Sequence, residues 1–339
     1  MIEGHGDDGW KYAAPLRADF SSNVYYGGLD AGLRAHLRGM IDAVTHYPEA
    51  GAVTLQQAAA DAYGVHKESV LVTNGATEAI YLIAQAFRGK PVTVVGPTFS
   101  EYADACQVQG VNVRWADWEE VKLMKVEGLL FVCSPNNPTG RALAVEELLG
   151  LADRSPSGLV VVDESYIEFT GATAGILGYR RPNVLVLRSL TKSCRIPGLR
   201  VGFLIGEEAI VRQVGTCKMP WSVNRLAIEA GLYIFSHRED FVVPVGPLLA
   251  ATAEWRRELA AATGWRVGDT DTHYFLMETP LKFTAAQLKG HLVSQYGLLI
   301  RDAANFKGLG PQHFRVACQS PEQNQLLIQA LRECSRAGI

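Results

Sequence analysis

Seven short runs dominate this sequence and restrict what it can fold into: 69–73, 91–96, 111–116, 128–133, 158–163, 183–188 and 201–205. Most are apolar at nearly every position, as in Leu159-Val160-Val161-Val162. A strand with one wet face alternates apolar and polar residues. An unbroken apolar run of this length reads instead as a strand covered on both faces. Stretches with helical patterning lie before the first run, at 54–64, and between later ones, at 76–87, near 100–109 and at 144–153. Parallel strands need a long crossover connection, and a helix is the usual one. The expected fold class is therefore α/β, with a mostly parallel seven-stranded sheet between helices.

From about residue 240 the pattern changes. A long helix is expected over 245–262, with Leu248, Leu249, Trp255 and Leu259 at helical spacing. Short strands follow at 274–278, 297–301 and 313–318, with helices near 284–295 and 321–336. This reads as a smaller α+β unit. At 339 residues the chain has room for two domains. The expected division is a large domain over 40–240 and a small domain from 1–39 and 241–339, which includes an N-terminal arm.

The net charge of −3 gives no electrostatic footprint for nucleic acid or an anionic membrane. Six scattered cysteines form no C-x-x-C pair, so reduced core thiols are expected rather than a metal site. The first twelve residues carry no apolar signal core, and no later stretch approaches the ~20 apolar residues of a membrane span. A cytoplasmic protein is expected.

The chemistry gathers at the ends of the apolar runs. Lys192 follows one of them, with Ser189 three residues before and Arg200 eight residues after. A lysine can form a Schiff base with an aldehyde, and a serine with an arginine can hold a phosphate. Asp163 ends the run 158–163. A carboxylate there is costly to bury unless it caps a helix or pairs with a cation, such as a protonated pyridine nitrogen. Tyr166 is placed to hydrogen-bond a phenolic oxygen or simply to pack. Asn137 sits in the tight loop Ser134-Pro135-Asn136-Asn137-Pro138-Thr139-Gly140. Gly75, Ala76 and Thr77 open a helix after a strand, which suits an anion or an ordinary helix cap. Phe99 can stack on a flat heterocycle or belong to the core.

Two motif matches fail on context. Gly4-His5-Gly6-Asp7-Asp8-Gly9 spells G-x-G-x-x-G, but no strand precedes it and no βαβ unit follows. Ser189-x-x-Lys192 matches the Ser-x-x-Lys of penicillin-binding enzymes, yet their Ser-Asp-Asn and Lys-Thr-Gly strings are missing.

Taken in order, these segments resemble fold-type I pyridoxal 5'-phosphate enzymes of the class I/II aminotransferase superfamily. Pro97-Thr98-Phe99, Asp163-Glu164-Ser165-Tyr166 and Gly198-Leu199-Arg200-Val201-Gly202 belong to the set. Within it the chain resembles two neighbouring families, the L-threonine O-3-phosphate decarboxylases and the histidinol-phosphate aminotransferases. The decarboxylases are favoured by Asp19-Phe20-Ser21-Ser22-Asn23, Phe99-Ser100-Glu101-Tyr102, Met219-Pro220-Trp221-Ser222-Val223-Asn224, Leu299-Ile300-Arg301 with Ala304-Asn305, and Arg315-Val316-Ala317. His5-Gly6 is similar to their N-terminal His-Gly-Gly. The chain departs from them at Tyr25-Tyr26 and Gly27-Gly28, where Asn-Pro and Leu-Gly are usual, and at Gln319.

The resemblance implies a pyridoxal 5'-phosphate enzyme with Lys192 as Schiff-base lysine and Asp163 on the pyridine nitrogen. Asn137 and Tyr166 would bind the phenolic oxygen, and Phe99 would stack on the ring. Gly75, Ala76, Thr77, Ser189 and Arg200 would hold the cofactor phosphate. Tyr47 would reach the cofactor phosphate of a partner subunit, which implies a homodimer. Arg315 would take the substrate carboxylate. Arg301, with His5 and Asn23, would take the substrate phosphate. The implied activity is decarboxylation of L-threonine O-3-phosphate to (R)-1-aminopropan-2-yl phosphate for cobalamin side-chain synthesis. The alternative is an aminotransferase for a phosphorylated amino acid such as histidinol phosphate.

Overall fold

The structure, a computed structural model, describes residues 6–12, 15–171, 175–280 and 282–338. Seven strands form one sheet. Their order is Val70–Thr73, Gly202–Ile205, Val184–Ser189, Leu159–Asp163, Leu129–Cys133, Val92–Val95, Val113–Ala116. Gly202–Ile205 alone runs against its neighbours. The others all point one way. The mostly parallel sheet expected from the apolar runs is therefore observed.

Both faces of the central strands are covered, which explains why their runs carry so few polar residues. Leu129, Phe131, Leu159 and Val161 pack with Ala79, Ile80 and Ile83 of helix Gly75–Ala86 and with Tyr102 and Ala105 of helix Glu101–Val108. Their neighbours Leu130, Val132, Val160 and Val162 face the other way, onto Leu148, Leu151 and Ala152 of helix Val145–Arg154. Each large apolar side chain buried this way contributes roughly 1.5–3 kcal/mol relative to exposure. Leu33, from helix Ala31–Gly39, joins a third cluster with Leu55, Phe203 and Ile228.

This topology concentrates loops at one edge. Thr73, Val95, Cys133, Asp163 and Ser189 end their strands there, and Gly202 begins its strand there. Gly202 is in register with both Thr73 and Ser189. The segments carrying Gly75, Asn137, Tyr166, Lys192 and Arg200 thus converge where ligands bind in open α/β sheets.

A second, antiparallel sheet has the order Arg301–Asp302, His313–Ala317, Tyr274–Glu278, Arg266–Val267. Its core includes Trp255, Leu259, Phe275, Phe314, Leu288 and Leu327. Thr284 and Ser320 cap helices Ala285–Tyr296 and Pro321–Ala337 through capping boxes with Gln287 and Gln323. Helix Val245–Thr263 places Trp255 and Leu259 in this core, while its Leu248 packs near Tyr166, Phe169 and Tyr274. The single strand expected over 297–301 is instead two. Leu298–Leu299 pairs in parallel with Ala18–Asp19, and Arg301–Asp302 pairs with His313–Ala317.

All six cysteines are free, and five of them are buried. Among the described residues, no helix is long and apolar enough to cross a membrane.

Candidate active site

A cavity of about 560 Å³ opens at the convergent edge of the large sheet. It is lined by Lys192, Asp163, Tyr166, Ala76, Thr77, Phe99, Asn137, Ser189, Arg200, Asn23, Arg301 and Arg315. Residues scattered over the whole sequence are therefore brought to one place. Gly75 stands directly behind Ala76. Tyr47 is 83% exposed and packs on Trp221 with ring centroids 5.3 Å apart, away from this cavity. His5 lies outside the described residues.

At the cavity floor, Asp163 is only 4% exposed. Its Oδ1 accepts the Ser165 backbone N–H at 2.9 Å, and its Oδ2 accepts the Tyr102 hydroxyl at 2.7 Å. Burial pushes its pKa up, against the lowering effects of Ser165, Tyr102 and the Lys192 charge. Such a carboxyl is held in one orientation and gains from a cationic partner. Phe99 meets Tyr102 edge-on at 5.9 Å, and Tyr102 stacks on Phe131 at 5.3 Å.

The anion corner depends on two glycines. A Cβ on Gly202 would lie 2.7 Å from the Ala76 backbone nitrogen, and one on Gly75 would lie 2.5 Å from Arg200 Nη2. Gly75 also adopts a φ of +72°, which favours glycine. The first turn of helix Gly75–Ala86, with its free N–H groups, can thus sit against Arg200 and the end of strand Val184–Ser189. Arg200 itself has a φ of +60° and donates to the Pro197 carbonyl at 3.1 Å. Ser189 Oγ and Thr191 Oγ1 are 2.7 Å apart beside it.

Lys192 lines the cavity and is half-buried. Burial, with the charges of Arg315 and Arg200, lowers its pKa to about 8. A neutral amine is therefore accessible near neutral pH, as nucleophilic attack on an aldehyde requires. The Lys192 carbonyl accepts the Tyr25 N–H at 3.1 Å, which ties the Asn23–Tyr26 loop to this segment.

Opposite the sheet edge, Arg301 and Arg315 face each other across neighbouring strands. They are 5% and 4% exposed. Arg315 donates to Asn137 Oδ1 and to the Ser21 carbonyl. Arg301 donates to Asn305 Oδ1 at 2.8 Å and lies 5.1 Å from the Phe306 ring centre. Burial and the Arg315 charge lower the Arg301 pKa to about 10, so it remains a cation at neutral pH. Neither arginine forms a salt bridge among the described residues, although the charges of Asp302 and Asp8 favour the cationic form of Arg301 and that of Asp19 favours the cationic form of Arg315. Two buried like charges side by side are unfavourable unless an anion joins them. Asn23 lies 2% exposed at the same cavity, and both of its amide atoms lack a hydrogen bond among the described residues.

Sequence reasoning missed several lining residues, including Asp7, Cys133, Ser165 and Thr191. Tyr102 was visible only within Phe99-Ser100-Glu101-Tyr102, and nothing local in that string announces a bond to a residue 61 positions away.

The residues present fit pyridoxal 5'-phosphate. The lysine suits its aldehyde, the buried carboxylate its ring nitrogen and the glycine-lined corner its phosphate. Orphaned polar atoms on Asn23 and Arg315 leave ligand contacts open.

Comparisons with known proteins agree with this geometry. The chain is 32% identical to the threonine-phosphate decarboxylase of Salmonella typhimurium, over 93% of this chain and 90% of that protein. It is 31% identical to a histidinol-phosphate aminotransferase of Desulfitobacterium hafniense, over 89% and 87%. The crystal structure of L-threonine-O-3-phosphate decarboxylase from Porphyromonas gingivalis superimposes with a TM-score of 0.90 at 36% identity, covering 93% of this chain and 98% of that one. The family described as aminotransferase class I and II matches residues 18–331. The chain belongs to that family and is a pyridoxal 5'-phosphate-dependent enzyme.

Proposed function

We propose that this enzyme decarboxylates L-threonine O-3-phosphate to (R)-1-aminopropan-2-yl phosphate, a building block for the cobalamin side chain. The observation that carries this reading is the Arg301–Arg315 pair, two buried guanidinium groups set side by side at the cavity, neither of them in direct contact with a carboxylate in a salt bridge among the described residues. An amino acid bearing both a carboxylate and a phosphate supplies the two missing anions. The relatives named for threonine phosphate support the same choice.

Bound pyridoxal 5'-phosphate supplies an electron sink for the pair released when a bond to the substrate Cα breaks. The chain does the rest. Ala76, Thr77, Ser189 and Arg200 hold the cofactor phosphate, Phe99 covers the ring, and Asn137 and Tyr166 meet its phenolic oxygen. Arg315 fixes Asn137 through its amide oxygen, leaving the amide nitrogen as donor. Asp163 keeps the proton on the ring nitrogen. Arg315 holds the substrate carboxylate and Arg301 its phosphate, with Asn23 beside them. These two anchors would set the rotation of the substrate about Cα, and with it which Cα bond is presented for cleavage. When carbon dioxide leaves, Lys192 Nζ returns a proton to Cα.

Incubation of the pure holoenzyme with L-threonine O-3-phosphate tests the reading. The expected result is carbon dioxide release with no 2-oxo acid acceptor present. Amino transfer that depends on an acceptor, with no gas, would overturn it and assign an aminotransferase for a substrate such as histidinol phosphate.

Arg301→Ala is expected to raise KM for the phosphorylated substrate by about ten- to a hundredfold, the worth of one charged hydrogen-bonded contact. An unchanged KM would remove Arg301 from the phosphate subsite. We further propose a homodimer in which Tyr47, exposed beside Trp221, reaches the partner's cofactor phosphate.

A further inference from the structure

We propose that Tyr102 is a positioning residue that couples the two contacts on the cofactor ring, its stacked face and its nitrogen. This inference rests on the cofactor assignment above and is independent of which substrate the enzyme takes.

The geometry gives one side chain two tasks. The Tyr102 hydroxyl lies 2.7 Å from Asp163 Oδ2, and its ring stands edge-on to Phe99 at 5.9 Å and 86°. Asp163 is the carboxylate suited to the ring nitrogen, and Phe99 is an aromatic that lines the same cavity. Tyr102 is in turn clamped. It is 1% exposed and stacked on Phe131 at 5.3 Å and 21°. Phe131 lies within strand Leu129–Cys133, next to strand Leu159–Asp163 and in register with Val161. The hydroxyl therefore cannot swing away without disturbing the stack.

An ionised carboxylate accepts about four hydrogen bonds. In Asp163 one site on each oxygen is already filled, by Ser165 N–H and by the Tyr102 hydroxyl. Ser165 fixes the carboxylate from its own turn. Tyr102 fixes it from a different element, helix Glu101–Val108. The remaining lone pairs are thereby aimed. A donor on the carboxylate also makes it a weaker base. The shared proton then stays on the ring nitrogen and does not move to Asp163. The other titratable groups facing Asp163 are Cys133 on the adjacent strand, Tyr166 on the following turn and Lys192 from the loop after Val184–Ser189. Among all the titratable groups that face Asp163, Tyr102 is the one whose side chain donates a hydrogen bond to a carboxylate oxygen in the structure.

Tyr102→Phe tests this with little change in volume. The holoenzyme is loaded with pyridoxal phosphate labelled with 15N in the ring, and its nitrogen resonance is recorded without substrate. The expected result is a shift toward the unprotonated position. With substrate, turnover falls about ten- to a hundredfold while KM changes little. A variant that loads normally and keeps the parent's resonance overturns the proposal, because packing alone would then account for Tyr102. If Tyr102→Phe does not load, 3-fluorotyrosine at position 102 reads the same contact. As a stronger donor of nearly equal size it moves the resonance the opposite way, and no movement overturns the proposal. A parent protein that takes up no cofactor at all would overturn the cofactor assignment together with it.

Discussion

Lys192→Ala is expected to lower turnover by about 10²–10⁴-fold or more and to end covalent capture of pyridoxal phosphate. Borohydride reduction of the parent should fix the cofactor's mass on the peptide containing Lys192, and the variant should carry none. No other lysine lines the cavity among the described residues, so no neighbouring amine can substitute. The environment also predicts a pH dependence. A lysine pKa lowered to about 8 leaves roughly a tenth of the amine neutral at pH 7 and roughly nine-tenths at pH 9. The neutral form is the nucleophile, so capture of added cofactor by the apoprotein accelerates as pH rises and levels off above about 8. The loss of activity should not be a loss of fold. Lys192 shares its enclosure with Arg200 and Arg315, and both charges disfavour its protonation. Removing one cation from that group relieves repulsion, so thermal stability of the apoprotein should hold. A variant with parental turnover would remove Lys192 from the chemistry.

How much of this was legible in the sequence depends on how each residue is held. The strands were readable because burial on both faces makes nearly every position apolar, as in Leu159 to Val162 of strand Leu159–Asp163. Lys192, Asp163, Asn137 and Arg200 were readable because each follows or ends such a strand, and topology carries all those ends to one edge. Helix Ala31–Gly39 was not read, since it buries Leu33 alone and leaves no periodic stripe. Helix Glu208–Gly215 buries only Val211 and Val214. Helix Arg225–Ser236 buries the small residues Ala227, Ala230 and Gly231 and the charged Glu229 beside Ile228 and Ile234, which dilutes its apolar stripe. The run 297–301 was read as one strand because its apolar residues are continuous. What divides it is a change of pairing partner, which no local pattern records. Tyr102 is the same case at the site. Its position on helix Glu101–Val108 was readable, but its bond to Asp163 exists only once two crossovers have been laid side by side.

Asp163→Asn is expected to lower turnover by about 10²–10³-fold, comparable to breaking a buried ion pair. The amide keeps the shape of the carboxylate. Its oxygen can still accept the Ser165 N–H, and its nitrogen can donate to the Tyr102 oxygen, so local packing survives. What is lost is the fixed negative charge proposed above to hold a proton on the ring nitrogen. The apoprotein should respond in the opposite sense. Burial raises the folded pKa of Asp163 above its ordinary value. A raised carboxyl pKa favours folding at low pH, and that advantage disappears as pH rises through the folded value. At neutral pH the parent apoprotein therefore carries the cost of a buried charge that the asparagine variant does not. The variant should be at least as stable near pH 7, and the difference should close as the pH falls into the carboxylate range. Thermal midpoints of both apoproteins against pH, measured beside holoenzyme turnover, give the two halves of this prediction. Turnover equal to the parent's would show that the Asp163 charge does not serve the reaction. A variant apoprotein clearly less stable at neutral pH would show that the carboxylate is there to hold the fold.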